Sequence, residues 1–326
     1  MSNEKAKLSR GSFLGNCVKA AGALIVGDRL RARGWTAEPA AKGEAAEPTP
    51  PPKRPLPFVL KEEGRFATGI QRLAGIAVDG KDRIYAAGEK GIKVFDLSGK
   101  LAREAPTGAP ATCVTLGPDG MIYVGHRGAL EKLDPEGHRQ WTWGGGDEKG
   151  PQTKTRVYYT SLAADGSYLY AADAGARSLK RFTVDGDFVD EISGFQIPSP
   201  FFDCAADGKG TVFVANTGRH RIESYDRNGK LQGHWGKFGT EPQNFCGCCN
   251  PTHFAVFPDG RIVTTEKGIP RLKVYGADHR LIAHLGKEAF PEGVAGMDVA
   301  VDGRERILLS EPKKGEIRIY RMLSDE

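Results

Sequence analysis

From about residue 58 to residue 323 the chain repeats one arrangement of apolar and polar positions. A small-apolar alternation leads to an Asp/Gly turn, an apolar–aromatic pair, a polar loop, a second alternation and a second turn. The clearest copy runs from Cys204 to Leu231, with its pair at Val212–Phe213. The others centre on Ile84–Tyr85, Ile122–Tyr123, Leu169–Tyr170, Ile262–Val263 and Ile307–Leu308. Successive anchors stand 38, 47, 43, 50 and 45 residues apart, a period suited to four short strands per unit. Period-2 alternation puts the apolar residues of a strand on one face. Asp119–Gly120, Asp185–Gly186, Asn228–Gly229 and Asp259–Gly260 supply the positive-φ residues that hairpins need. One four-stranded sheet cannot bury both of its faces alone; several sheets packed radially can.

The segment Asn216-Thr217-Gly218-Arg219-His220-Arg221-Ile222 resembles the loop and strand start of the NHL repeat. Ala172-Asp173-Ala174-Gly175 is similar to the same stretch. The resemblance covers roughly residues 58–323. It implies an all-β, six-bladed β-propeller of four-stranded antiparallel blades. The last copy shows three strands, ending at Glu316–Arg321, so Pro57–Lys61 is expected to supply the fourth and close the ring.

Charge separates this region from what precedes it. Of 46 Lys/Arg and 41 Asp/Glu, residues 1–57 hold ten and five, leaving 36 of each sign in the remainder. A propeller of zero net charge has no overall pull on phosphate backbones, which argues against nucleic acid as a partner. Residues 1–35 read as a short signal-like helix or anchor. Lys5, Lys7 and Arg10 precede Phe13–Leu14 and an apolar run, Ala20 to Val26, too short to span a bilayer. Ser9-Arg10-Gly11-Ser12-Phe13-Leu14 resembles a twin-arginine export signal, with Gly11 in the place of the second arginine. The expectation is a periplasmic or otherwise exported monomer whose N-terminus is cleaved or membrane-proximal. Residues 36–57, with Pro48, Pro50, Pro51, Pro52, Pro55 and Pro57, read as a disordered linker of extended polyproline character. The propeller then occupies 58–326.

Aligning the copies on the apolar pair places Gly75, Cys113, Thr160 or Ser161, Asp203, His253 and Asp298 at the starts of the innermost strands. In propellers of this kind those strands line a central channel and begin near one mouth. Four of the six positions carry metal-ligand or acid/base chemistry. The loop entering the fifth copy, Phe245-Cys246-Gly247-Cys248-Cys249-Asn250-Pro251-Thr252-His253, adds three thiols at the same mouth. Cys246, Cys248, Cys249, His253 and Cys113 therefore form a candidate site for copper, zinc or an iron–sulfur cluster. A Cys246–Cys249 disulfide, or plain structural thiols, are the alternatives. All three thiols can share one metal only if the loop turns, because Cys248 and Cys249 would point apart in an extended chain. Cys113 is a small buried hydrophobe by default, and Asp203 and Asp298 are by default hydrophilic lining. Cys204 alternates onto a blade face, and His220 belongs to the repeat signature. His126, His138, His234, His279 and His284 fall in turns or outer strands, with no obvious partner. Gly144–Gly146 lacks the strand-to-helix setting of a phosphate loop.

Three functions follow from this reading. The first is a binding protein with a Cys/His metal or cluster site at the channel mouth, associated with electron transfer. The second is a protein- or glycan-binding platform whose cysteines are bridged. The third is a metal-dependent lyase or hydrolase using Asp203 or Asp298 as base. Six-bladed structural relatives include a zinc amidating lyase, which wants several histidines where the ring has one, and gluconolactonase-type hydrolases, whose motifs are absent here. A protein or small molecule on the propeller face is the expected ligand.

Overall fold

The computed structural model describes residues 35–36, 56–144 and 157–324. The described residues form six sheets of four antiparallel strands, arranged as the blades of a propeller. The innermost strands, in blade order, are Gly75–Val78, Cys113–Leu116, Tyr159–Ala164, Cys204–Ala206, His253–Val256 and Val299–Val301. The second strands are Ile84–Gly88, Ile122–Gly125, Tyr168–Asp173, Thr211–Asn216, Ile262–Glu266 and Ile307–Glu311. Each carries one of the apolar pairs found in the sequence. A two-residue strand, Trp35–Thr36, adds in parallel to the outer edge of the third blade.

The apolar pairs mark the second strands for a physical reason. Alternation sends one member into the core shared with the preceding blade and the other into the core shared with the next. Ile84 packs between the sixth and first blades, and Tyr85 packs between the first and second. The hydrophobic core is thus divided into six parts, one per blade junction. Turn chemistry follows the sequence as well. Asp226 Oδ1 accepts the N–H groups of Asn228 and Lys230, each at 2.9 Å, while Gly229 adopts φ +73°.

The ring closes where the sequence places the closure. Phe58–Ala67 is the outermost strand of the sixth blade, paired antiparallel with Glu316–Ser324 from Phe58↔Ser324 to Ala67↔Glu316. It is longer than the expected Pro57–Lys61. The Arg318 guanidinium fixes the register, donating from Nη2 and Nε to Glu62 Oε2 at 2.6 and 3.0 Å.

Three blades also join their second and third strands by buried polar pairs seven residues apart. These are Asp173 with Lys180, Asn216 with Glu223 at 3.0 Å and Glu266 with Lys273. The signal-like segment and the linker lie outside the described residues, apart from Trp35–Thr36 and Leu56–Pro57. Among the described residues no helix is long and apolar enough to cross a membrane.

Candidate functional site at the channel mouth

The innermost strands enclose a channel of about 220 Å³. Its lining is polar where the strands begin, with Thr160, Ser161, Asp203, His253 and Asp298, and apolar at the far end, with Val78, Ala164, Val256 and Val301. Every aligned position lies at or beside the start of its inner strand. They are not chemically equal. Asp203, His253 and Asp298, from the fourth, fifth and sixth blades, each bring one ligand atom to within 4.8 Å of the others.

His253 Nδ1 stands 3.5 Å from Asp298 Oδ1 and 3.7 Å from Asp203 Oδ2. These separations are ionic contacts, too long for good hydrogen bonds. The two aspartates are held by one repeated device. Asp203 accepts from Cys204 N at 3.0 Å in its own blade and from Phe254 N at 2.7 Å in the next. Asp298 accepts from Val299 N at 2.8 Å and from Ile76 N at 2.7 Å across the ring closure. Each carboxylate therefore starts one inner strand and ties it to the following one.

Burial opposes a charge on His253, but the facing Asp203 carboxylate and the Asp298 charge outweigh it and raise its pKa. Burial also dominates at Asp298 and raises it. His253 and the amides of Ile76 and Val299 pull it down, Asp203 pushes it up, and the balance is about 6. His253 and Asp298 therefore bind protons more tightly at the mouth than the free side chains would.

The remaining ring positions serve the blade junctions. Thr160 Oγ1 donates to Phe202 O at 2.7 Å, and Ser161 Oγ bonds the backbone of Cys204 at 3.3 Å. Thr112 Oγ1 reaches Tyr159 O at 2.6 Å and Thr265 Oγ1 reaches Met297 O at 2.7 Å. Neither threonine stands out in the sequence, because their role depends on where neighbouring blades meet. At Gly75 an added Cβ would lie 3.1 Å from the Cys113 Cα, so the first and second blades pack closely there and a side chain would require the second blade to give by a few tenths of an ångström. Cys113 is buried and its Sγ faces Tyr159 O at 3.8 Å; burial raises its pKa far above the usual thiol value.

The structure does not bring the five predicted Cys/His ligands to one point. Among the described residues the one convergent group of this kind is Asp203–His253–Asp298. Cys246 Sγ turns to Glu266 Oε2 at 3.1 Å. Cys248 and Cys249 pair with each other, sulfur to sulfur, at 3.0 Å. The loop does turn, with Gly247 at φ +77°, but the turn joins the two adjacent thiols rather than all three. His220 proves specific in its role, its Nε2 donating to Gly247 O at 2.6 Å and holding this loop.

Other histidines also have partners that the sequence conceals. His126 is fully buried; its Nδ1 donates to Pro110 O at 3.0 Å and its Nε2 lies 3.6 Å from Glu131 Oε2. His279 stacks on Trp235, with ring centroids 4.9 Å apart. Phe201, absent from the sequence reading, meets His253 edge to face at 6.0 Å and lies beneath Lys267 Nζ at 4.6 Å.

No family model matches the sequence, and no curated protein matches it. Solved structures are similar in fold. A streptogramin B lyase structure aligns with a TM-score of 0.53 at 14% identity, over 82% of this chain and 98% of that one. The structure of U3-55K aligns with a TM-score of 0.57 at 13% identity, over 80% of each chain. A crystal structure of a mitotic checkpoint complex contains a chain that aligns with a TM-score of 0.55 at 14% identity, over 88% and 98%. At these identities the likeness establishes the propeller.

Proposed function

We propose that this propeller is a binding protein that holds a divalent metal ion at its channel mouth and presents it to a small ligand or partner side chain. The observation that carries this reading is the convergence of Asp203, His253 and Asp298 within 4.8 Å. A four-coordinate ion with bonds of about 2.0–2.2 Å sets neighbouring ligands roughly 3.3–3.6 Å apart. The distances of 3.5 and 3.7 Å around His253 are close to that. Each aspartate oxygen accepts one backbone N–H and retains a second lone pair. Two carboxylates and an imidazole suit zinc or a similar borderline ion better than copper(I) or an iron–sulfur cluster.

The proposal thus keeps a metal at the mouth and replaces the thiolates as its ligands. A space of 220 Å³ admits an ion, its water and a small group, and is below the usual size of an organic-ligand pocket. Three protein ligands would leave a position open for what is bound. The Asn216–Ile222 loop supports an NHL-type repeat, and the N-terminal pattern supports an exported setting.

Titration of chelator-treated protein with zinc, followed by calorimetry and elemental analysis, tests the reading. About one ion per chain is expected, with affinity at least tenfold weaker in His253→Ala. No binding by the wild type, or equal binding by that variant, would overturn it.

A further inference from the structure

The loop above the fifth blade contains two thiols that the channel-mouth site does not use. Cys248 is exposed and Cys249 is buried, yet their sulfurs lie 3.0 Å apart. A disulfide bond is about 2.05 Å long, so joining them needs a movement of about 1 Å. The surrounding loop is already fixed. Asn250 Nδ2 donates to Cys246 O and, at 3.0 Å, to Lys267 O, while Asn250 Oδ1 accepts Lys267 N at 3.0 Å. His220 holds Gly247 from the other side. Cys246, the remaining thiol of the loop, is occupied by Glu266.

From this geometry we infer that Cys248 and Cys249 form a reversible redox site, which closes to a disulfide between adjacent residues by exchange with a small-molecule disulfide. The exposed and buried positions assign the order of events. The Cys248 thiolate attacks one sulfur of the external disulfide. A Cys248–sulfur bond forms, the external bond breaks, and one thiolate leaves and takes up a proton. Cys249 then loses its proton and attacks the Cys248 sulfur, displacing the second external thiol. Two protein thiols become one disulfide, and one external disulfide becomes two thiols.

The setting of Cys249 suits the second step. In the reduced pair the shared proton favours Cys248, whose pKa Cys249 raises. Once Cys248 is in the mixed disulfide, Lys267 and Ser199 still act against burial to lower the pKa of Cys249. Lys267 is itself positioned by a 2.9 Å hydrogen bond to Ser199 Oγ. Adjacency also predicts the character of the product. Consecutive Cα atoms across a trans peptide are about 3.8 Å apart, below the usual disulfide range of about 4.4–6.8 Å, and such strain makes a bond easier to reduce. A strained and accessible disulfide is a labile one.

The test is peptide mapping of the full chain after equilibration in glutathione buffers of increasing oxidation, with alkylation of the remaining thiols under denaturing conditions. The expected result is the concerted loss of alkylation at Cys248 and Cys249, reversed by reduction, with Cys246 still alkylated. Cys249→Ser should trap glutathione on Cys248, whereas Cys248→Ser should leave Cys249 unmodified. Alkylation of both cysteines throughout the oxidised range would overturn the inference. So would a bond from Cys246 to Cys249, or an adduct on Cys249 in the Cys248→Ser variant.

Discussion

The carboxylate of Asp298 accepts the amide of Ile76 at 2.7 Å, joining the last inner strand to the first across the point where the ring closes. Asp203 makes the same bond to Phe254 between the fourth and fifth blades. The residues best placed to hold a ligand are therefore also junction residues. This double role shapes the first prediction.

Replacing Asp298 by alanine leaves two inner-strand amides without their acceptor and should cost about 1.5–3 kcal/mol, the range for hydrogen bonds to a charged group. Asp203→Ala should cost a similar amount. Urea unfolding would measure both. Losses below about 0.5 kcal/mol would show that neighbouring backbone or water replaces the carboxylates, and that their main role is at the mouth.

Stability should depend on pH through His253 and Asp298. Both folded pKa values lie above the ordinary ones, so the folded chain holds extra protons at the mouth. The resulting stabilisation is complete below the ordinary values, and it fades as pH rises through about 6 at Asp298 and then through the raised His253 value. Metal-free wild type should lose roughly 2–4 °C more in Tm than His253→Gln between acid and mildly alkaline pH. Parallel curves for the two proteins would refute the coupling.

The buried pair Glu266–Lys273 makes a separate prediction. Lys273 Nζ lies 4.3 Å above the Phe245 ring, and burial depresses its pKa to about 8 despite Glu266. Glu266→Leu alone should cost about 3–5 kcal/mol, because it leaves a buried ammonium unpaired. Adding Lys273→Met should restore most of that loss. A double variant no more stable than the single one would mean that the pair is not the source of the cost.

Ring closure predicts a sharp boundary in truncation. Deleting residues 1–56 should leave the cooperative unfolding transition in place. Deleting to Ala67 removes the outermost strand of the sixth blade and exposes the core that Leu60 shares with Tyr320 and Val274. That chain should lose cooperative unfolding, as followed by circular dichroism against temperature. Retained cooperativity would show that three strands suffice for the last blade.

The blades were legible because each apolar pair must divide between two cores, a demand that Ile84–Tyr85 and Val212–Phe213 meet in the same way. The inner-strand starts were legible for the same reason, since they lie at a constant offset from the pair. The ligand set was not. Cys246 and Cys248 are close in sequence, but Glu266 attracts one and Cys249 the other, and no local pattern announces which. His126 looked unpartnered because its neighbours Pro110 and Glu131 reach it through the fold. The pairs seven residues apart, such as Asp173 with Lys180, carry no local signal of their burial, because charged residues near a hairpin usually point to water.

The antiparallel order of the sixth blade also gives the molecule a direction. Its inner strand begins at the mouth, and three reversals later the outer strand Phe58–Ala67 runs the other way. Phe58 therefore lies toward the face opposite Asp203, His253 and Asp298. A group attached at Phe58 itself would sit behind the propeller, leaving the channel mouth turned outward and accessible to whatever approaches.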